Sequence, residues 1–304
     1  MADARLSDFA HPRYWLTWIG LGFMRGTSWL PLPAIALFGG ALGMLLYVLH
    51  APRRHVVHVN IRRCFPELSP AVQARLARKH FRAFGQALLD IGVTWWASEA
   101  RLKRLTRFRG REYYEQALRE KKSIILLVPH FVGLETGGMR LSIDHPMVTV
   151  FRHPVNKLVS AVMGRARARF QMRLVEHNKP LTAVVRQVKA GSPLYYLPDQ
   201  DAGLRQSVFA PFFGIPAATF IVLPRLAAMT DAVVIPCITR QLSWGRGYEI
   251  IFRPPLKNFP SGDAVADTTR MNREIEEVVQ EIPEQYFWVH KRFKTRPKGE
   301  PGFY

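Results

Sequence analysis

Between Gly26 and Pro52 the chain carries no Asp, Glu, Lys or Arg. An uncharged stretch of that length has to be covered, by protein or by lipid, because exposing it to water forfeits the hydrophobic free energy of the whole run. As one helix, Thr27–Leu49 would reach about 35 Å, enough for a bilayer core. Pro31 and Pro33 argue for a later start, since proline suits the first turn of a helix and not its interior. A helix from Pro33 would be only about 25 Å long. A second apolar piece, Tyr14–Met24, precedes it and carries Trp15 and Trp18, a residue type that favours membrane interfaces. Asp3 and Asp8 occupy what would be the basic region of a secretory signal, and no small-residue cleavage pattern follows. The expectation is an N-terminal membrane-anchoring helical segment over residues 1–52, set against a pair of core helices in a soluble protein. Arg53, Arg54, Arg62, Arg63 and Arg75 follow the run closely, so positive-inside bias places the bulk of the chain in the cytoplasm.

Beyond that segment the chain is strongly basic. Lys and Arg total 43 against 23 Asp and Glu, a net charge of +20. The first fifty residues contribute only three Arg and two Asp, so the charge belongs to residues 53–304. Such a surface seeks polyanions: nucleic acid, anionic lipid, a phosphorylated substrate or an acidic carrier protein. No helix-turn-helix, zinc-finger or RNA-binding signature supports nucleic acid. Cys64 and Cys237 are the two cysteines, which fits a reducing compartment and excludes a metal site built on a cysteine cluster.

Ser69-Pro70 predicts a helix start, followed by apolar positions at helical spacing from Val72 to Ile91. Ile124–Val128 is a short, wholly apolar run, the pattern of a strand buried on both faces. Further strands are predicted at Met147–Phe151, Leu194–Leu197, Ala232–Ile238 and Tyr248–Phe252. Helices are predicted at Val155–Phe170, Leu181–Lys189, Ala218–Met229 and Thr268–Glu281. That alternation predicts an α/β domain with a mixed, largely parallel sheet flanked by helices.

The buried strand at Ile124–Val128 runs into Pro129-His130, and Glu135 follows five residues later. Ligands of open α/β sheets gather beyond the carboxyl ends of strands, where His130 would lie. With Gly133 permitting a tight turn, a carboxylate one helical turn on can reach back to the imidazole, fix its tautomer and stabilise the imidazolium. A hydrogen-bonded core histidine would give the same spacing. No Ser or Cys adjoins His130, so the local pattern suits a base that activates a substrate hydroxyl rather than a covalent nucleophile.

Several segments extend the pattern: Phe151-Arg152-His-Pro-Val-Asn156, Leu197-Pro-Asp199-Gln-Asp201-Ala-Gly203, Val208–Thr219 and Pro283–Pro297, the last containing Trp288, His290 and Arg292. In this order, with His11–Thr17 ahead of them, they resemble the late acyltransferases of lipid A biosynthesis, the lauroyl/myristoyl transferase family. The resemblance implies an inner-membrane enzyme facing the cytoplasm, which needs no cofactor and no metal. It would move an acyl chain from acyl-carrier protein to a hydroxyl on a hydroxyacyl chain of a Kdo-bearing lipid A precursor. His130 would be general base and Glu135 its partner; Arg152, Asn156, Asp199 and Asp201 are candidates for substrate binding or oxyanion stabilisation. Phe151 departs from the tyrosine frequent there, keeping the aromatic packing without the hydroxyl.

The chemistry suits these residues. A thioester is already activated, so transfer needs a base for the hydroxyl proton and donors for the oxyanion, for which the amides after His130 and the Arg152 guanidinium are expected. Arg165, Arg167, Arg169 and Arg173 would serve anionic partners, the first three otherwise forming a solvated helix face. Asp199 and Asp201, with no third acidic partner, are expected to hold Arg152 or Arg205 or to shape the acceptor pocket. Trp288–Arg292 reads either as a headgroup-docking segment or as packing. Another lipid acceptor, a lysophospholipid or an ornithine-type lipid, fits the same motif.

Overall fold

The computed structural model describes residues 5–205 and 207–304. Two 3-10 turns (Leu6–Phe9, Pro12–Tyr14) lead into five helices: α1 (Trp15–Thr27), α2 (Leu32–Leu49), α3 (Ala51–Cys64), α4 (Pro70–Trp96) and α5 (Glu99–Leu105). The rest runs β1 (Thr106–Arg109), α6 (Arg111–Arg119), β2 (Ser123–Leu127), α7 (Leu134–Asp144), β3 (Met147–Phe151), α8 (Lys157–Ala168), β4 (Met172–Glu176), α9 (Leu181–Lys189) and β5 (Leu194–Tyr196). It closes with β6 (Ser207–Phe212), β7 (Ile215–Phe220), α10 (Val222–Thr230), β8 (Ala232–Gln241), β9 (Tyr248–Phe252) and α11 (Ala264–Glu281).

Seven strands form one sheet in the order β1-β9-β8-β2-β5-β3-β4. All neighbouring pairs are parallel except β8 with β9. This is the mixed, largely parallel sheet that the apolar runs predicted. Ile125 and Leu127 point into a core shared with α3, α4, α9, α10 and α11, while Ile124 and Leu126 join Tyr114 and Leu141 on the other face. With both faces covered, β2 has no polar position beyond its first residue, and each buried Leu or Ile contributes roughly 1.5–3 kcal/mol. Proline at the first turn starts both α2 and α4, as their sequences predicted.

One helix boundary needs correction. Ala218–Met229 reads as a helix, but residues 215–220 form β7, antiparallel to β6, and α10 begins only at Val222. Ala217, Ala218 and Thr219 are buried in that hairpin, so tertiary packing overrides the helical propensity of the alanines.

The N-terminal helices pack on the globular part. Gly39 and Gly43 of α2 meet Gly85, Gln86 and Phe81 of α4 so closely that a Cβ at Gly43 would fall on the Phe81 carbonyl oxygen. Small residues here let two backbones approach as in membrane helix pairs. Trp18 and Leu21 of α1 lie against Trp95 and the α8 residues Leu158 and Ala161.

Candidate active site

β2 and β5 are neighbours, paired in parallel with Leu127 opposite Tyr196. Three residues beyond that pair in each chain stand His130 and Asp199, so the register delivers one beside the other at the carboxyl edge of the sheet. Nδ1 of His130 lies 2.6 Å from Oδ1 of Asp199, and the His130 backbone amide donates to Oδ2 at 2.8 Å. Asp199 is 1% exposed. Burial alone would raise its carboxyl, but the imidazole and amide of His130 outweigh that and hold it below the usual range. With a carboxylate on Nδ1, the proton of the neutral ring sits there and Nε2 keeps its lone pair. The His130 side chain is 19% exposed, and a neutral imidazole with a free Nε2 can accept a proton from a hydroxyl.

Glu135 has different partners, which corrects the expected contact with His130. It lies in the first turn of α7, where Oε1 accepts from Arg167 Nε at 2.9 Å and from Trp95 Nε1 at 3.1 Å, and Oε2 accepts from Arg167 at 2.6 Å. Burial would push its carboxyl up, but the Arg167 guanidinium prevails and holds it down. This bidentate pair joins α7 to α8, with Arg167 also 5.9 Å over the Phe151 ring. Arg167 thus matches neither reading for the α8 arginines: its guanidinium is taken up by Glu135. Gly133 is required for space and not for a left-handed turn: its φ is −88°, and a Cβ would stand 2.6 Å from the Thr239 carbonyl oxygen.

The remaining candidates divide. Arg152 follows β3 at the same sheet edge, side chain exposed. Asn156 caps α8, its Oδ1 accepting from Leu158 and Val159 amides and its Nδ2 donating to Thr17 of α1. Asp201 holds neither Arg152 nor Arg205. It accepts from the Gly203 amide and from Thr295 at both amide and hydroxyl, while its own amide donates to His290 Nε2 at 2.9 Å. The amides of Phe131 and Val132 are engaged by the carbonyls of Pro129 and Gln285, so the two amides first expected to bind an oxyanion are already occupied.

What spacing could not reveal is the segment from Pro283 to Arg296, which wraps the site as a strap. The Phe287 amide donates to the His130 carbonyl, and Gln285 forms two hydrogen bonds with the Gln241 backbone on β8. Asn60 of α3 donates to the carbonyls of Trp288 and His290. Tyr286 is buried, and burial together with the nearby Asp199 charge pushes its pKa up. Trp288 and Arg292 are 1% exposed, and Arg292 donates to Ala218 and Thr219 of β7. Trp288 and Arg292 are therefore packed, while Lys291 between His290 and Arg292 is exposed. His130, Asp199, Tyr286, His290, Arg292 and Asn60 together line a small pocket behind the imidazole.

Known proteins give this geometry a context. The family model for the bacterial lipid A biosynthesis acyltransferase matches residues 3–295. The chain is 35% identical to a lipid A biosynthesis lauroyltransferase of Escherichia coli K12, over 97% of this chain and 96% of that one. It is 31% identical to the palmitoleoyltransferase of the same strain, over 98% and 97% of the two chains, and 31% identical to the myristoyltransferase, over 96% and 91%. With that match running through strand, dyad and strap alike, this chain belongs to the bacterial lipid A biosynthesis acyltransferases.

Proposed function

We propose that the protein is a membrane-bound enzyme of the bacterial inner membrane, its catalytic part on the cytoplasmic side. It transfers a fatty acyl group from acyl-carrier protein to a hydroxyl on a hydroxyacyl chain of a Kdo-bearing lipid A precursor. The observation that carries the mechanism is the His130–Asp199 pair, which leaves Nε2 as the free base. Nε2 takes the acceptor hydroxyl proton as the oxygen attacks the thioester carbonyl. The tetrahedral oxyanion collapses, the C–S bond breaks, and the imidazolium returns its proton to the departing thiolate. Asp199 stabilises the imidazolium throughout and is itself held by the His130 amide.

Glu135 acts through Arg167, fixing the α7–α8 wall of the site. Arg152, exposed at the strand end, offers a guanidinium to an oxyanion or an acceptor phosphate. The excess of basic residues suits both an acidic carrier protein and an anionic acceptor.

The test is transfer by purified protein between acyl-carrier proteins of several chain lengths and the Kdo-bearing precursor. Wild type should give product, and His130→Ala should lose on the order of 100- to 10,000-fold. Transfer to a lysophospholipid but not to the precursor would keep the mechanism and replace the acceptor. Undiminished transfer by His130→Ala would overturn the assigned base.

A further inference from the structure

Length and composition qualify α2 as a membrane span: 18 residues with mean hydropathy 2.1. Its packing forbids that role. α2 runs antiparallel to α4 along its whole length, with Leu32 and Ile35 against Leu89 and Val93, Gly39 against Gln86, Gly43 against Phe81, and Tyr47 against Phe81. α4 is itself a wall of the catalytic part, hydrogen-bonded to α7 through Thr94–Thr136 and Trp95–Glu135 and to β8 through Asp90–Gln241.

Both ends of α2 are fastened to charged elements. Before its first turn, Arg101 of α5 donates to the carbonyls of Ser28 and Leu30, and α5 exposes Lys103 and Arg104 there. At its last turn, Arg54 of α3 donates to the carbonyls of Tyr47 and Val48, and Arg62 and Arg78 lie close enough to lower the His58 pKa after burial has done so. A bilayer core perpendicular to α2 would therefore engulf α4, α7 and part of the sheet with their charges, which hydrocarbon disfavours strongly.

The face that α2 turns away from α4 is apolar and open. Leu37, Leu45 and Val48 repeat at spacings of eight and three along it, and Leu16, Ile19 and Phe23 continue it on α1. Of the 18 large apolar side chains exposed among the described residues, 11 lie between Trp15 and Leu49. Tryptophans stand at its margins: Trp15, Trp29, and Trp244 on the β8–β9 turn, whose Gly245 abuts the Leu32 carbonyl. Indoles favour the headgroup level, and an apolar helical face flanked by cations is the pattern of an interfacial helix.

Resting on the membrane-bound reading above, we infer that α1 and α2 form a monotopic platform. They lie parallel to the membrane plane with the exposed face in the acyl region of one leaflet, and no part of residues 5–52 crosses. The domain thus sits flat on the surface that holds its lipid acceptor.

The test uses the full-length chain in sealed right-side-out and inverted inner-membrane vesicles, treated with a membrane-impermeant maleimide. Ser7→Cys, Trp29→Cys and Arg75→Cys are compared with wild type, whose Cys64 and Cys237 are buried and report any unfolding by becoming reactive. The platform requires that Ser7→Cys and Arg75→Cys label only in inverted vesicles and that Trp29→Cys never labels from the opposite side. Labelling of Ser7→Cys or Trp29→Cys in right-side-out vesicles would establish a crossing and overturn the platform while keeping membrane attachment. A chain that stays out of the vesicles, its apolar face buried in a dimer, would overturn both, and the transfer assay would read the catalytic proposal separately.

Discussion

Asp199 and Glu135 are both withdrawn from bulk solvent and both held ionised, yet by different means. Asp199 is gripped by an imidazole and a backbone amide, in a setting tied down by the strap. Glu135 is locked by a guanidinium from α8 and an indole from α4, so it closes a joint between helices. The first arrangement leaves a nitrogen ready for chemistry; the second leaves every oxygen of the carboxylate engaged and gives rigidity. Motif spacing treats His130 and Glu135 as a pair, whereas register pairs His130 with Asp199.

The strongest way to break the contrast is Asp199→Asn. It keeps size but favours the wrong tautomer of His130, and kcat should fall by roughly 1,000- to 10,000-fold with the unfolding transition little changed. An enzyme that retained its kcat would return the role to Glu135. Next in size are Glu135→Gln and Arg167→Met. Each strands a largely buried partner and should cost about 2–3 kcal/mol in denaturant unfolding, allowing for partial exposure. The double variant should be less destabilised than the two singles added, because no charge is left alone. Strict additivity would mean that the pair carries no structural coupling.

Smaller effects sharpen the comparison through pH. Tyr286→Phe removes a buried hydroxyl dipole that feels the Asp199 charge, which strengthens the carboxylate's hold on the imidazolium. The acid limb of the kcat/KM profile should therefore move to higher pH, by less than about one unit. An unmoved limb would reduce Tyr286 to packing.

The subtlest difference is acid sensitivity. Burial lowers His80, whose Nδ1 bonds the Glu284 carbonyl, to about 4, and burial with the nearby His130 lowers His290 to about 4. Their folded pKa values lie below the unfolded value near 6.5, so the stability they lend is present above that pH and is lost as pH falls toward about 4. Glu135, also depressed, loses its share only below its ordinary carboxylate range. Between about pH 6.5 and 4.5 the amides of residues 283–296 should lose hydrogen-exchange protection before those of α7 and α8. Asp90 acts with the opposite sign: burial raises it to about 7, so it favours the fold as pH falls. Repeating the exchange in Asp90→Asn separates the two, and equal loss across both regions would erase the distinction.

How much of this could be read in advance follows from what each element buries. β2, β3, β8 and β9 were legible because strands covered on both faces need largely apolar runs, which Thr149 in β3 and Glu249 in β9 interrupt only once each. β1 (Thr-Arg-Phe-Arg) and β4 (Met-Arg-Leu-Val-Glu) were not, since edge strands interleave charges. The strand-end histidine was legible from Pro129-His130. Its partner was not, for Asp199 stands 69 residues away and only pairing of β2 with β5 brings it near. Arg167 was visible as a cation, but nothing local distinguished it from Arg169, which instead caps the carbonyls of Trp95 and Ala97.

The strap also imposes an order on biosynthesis. Residues 283–296 leave the ribosome after α1, α2 and the sheet have all been made, yet they carry Phe287, whose amide donates to the His130 carbonyl, and Gln285, whose carbonyl accepts from the Val132 amide. A nascent chain can thus assemble β1–β9 while its His130–Asp199 pair is still unbraced, and the pair on which the proposed transfer rests gains its bracing only with the final stretch of translation.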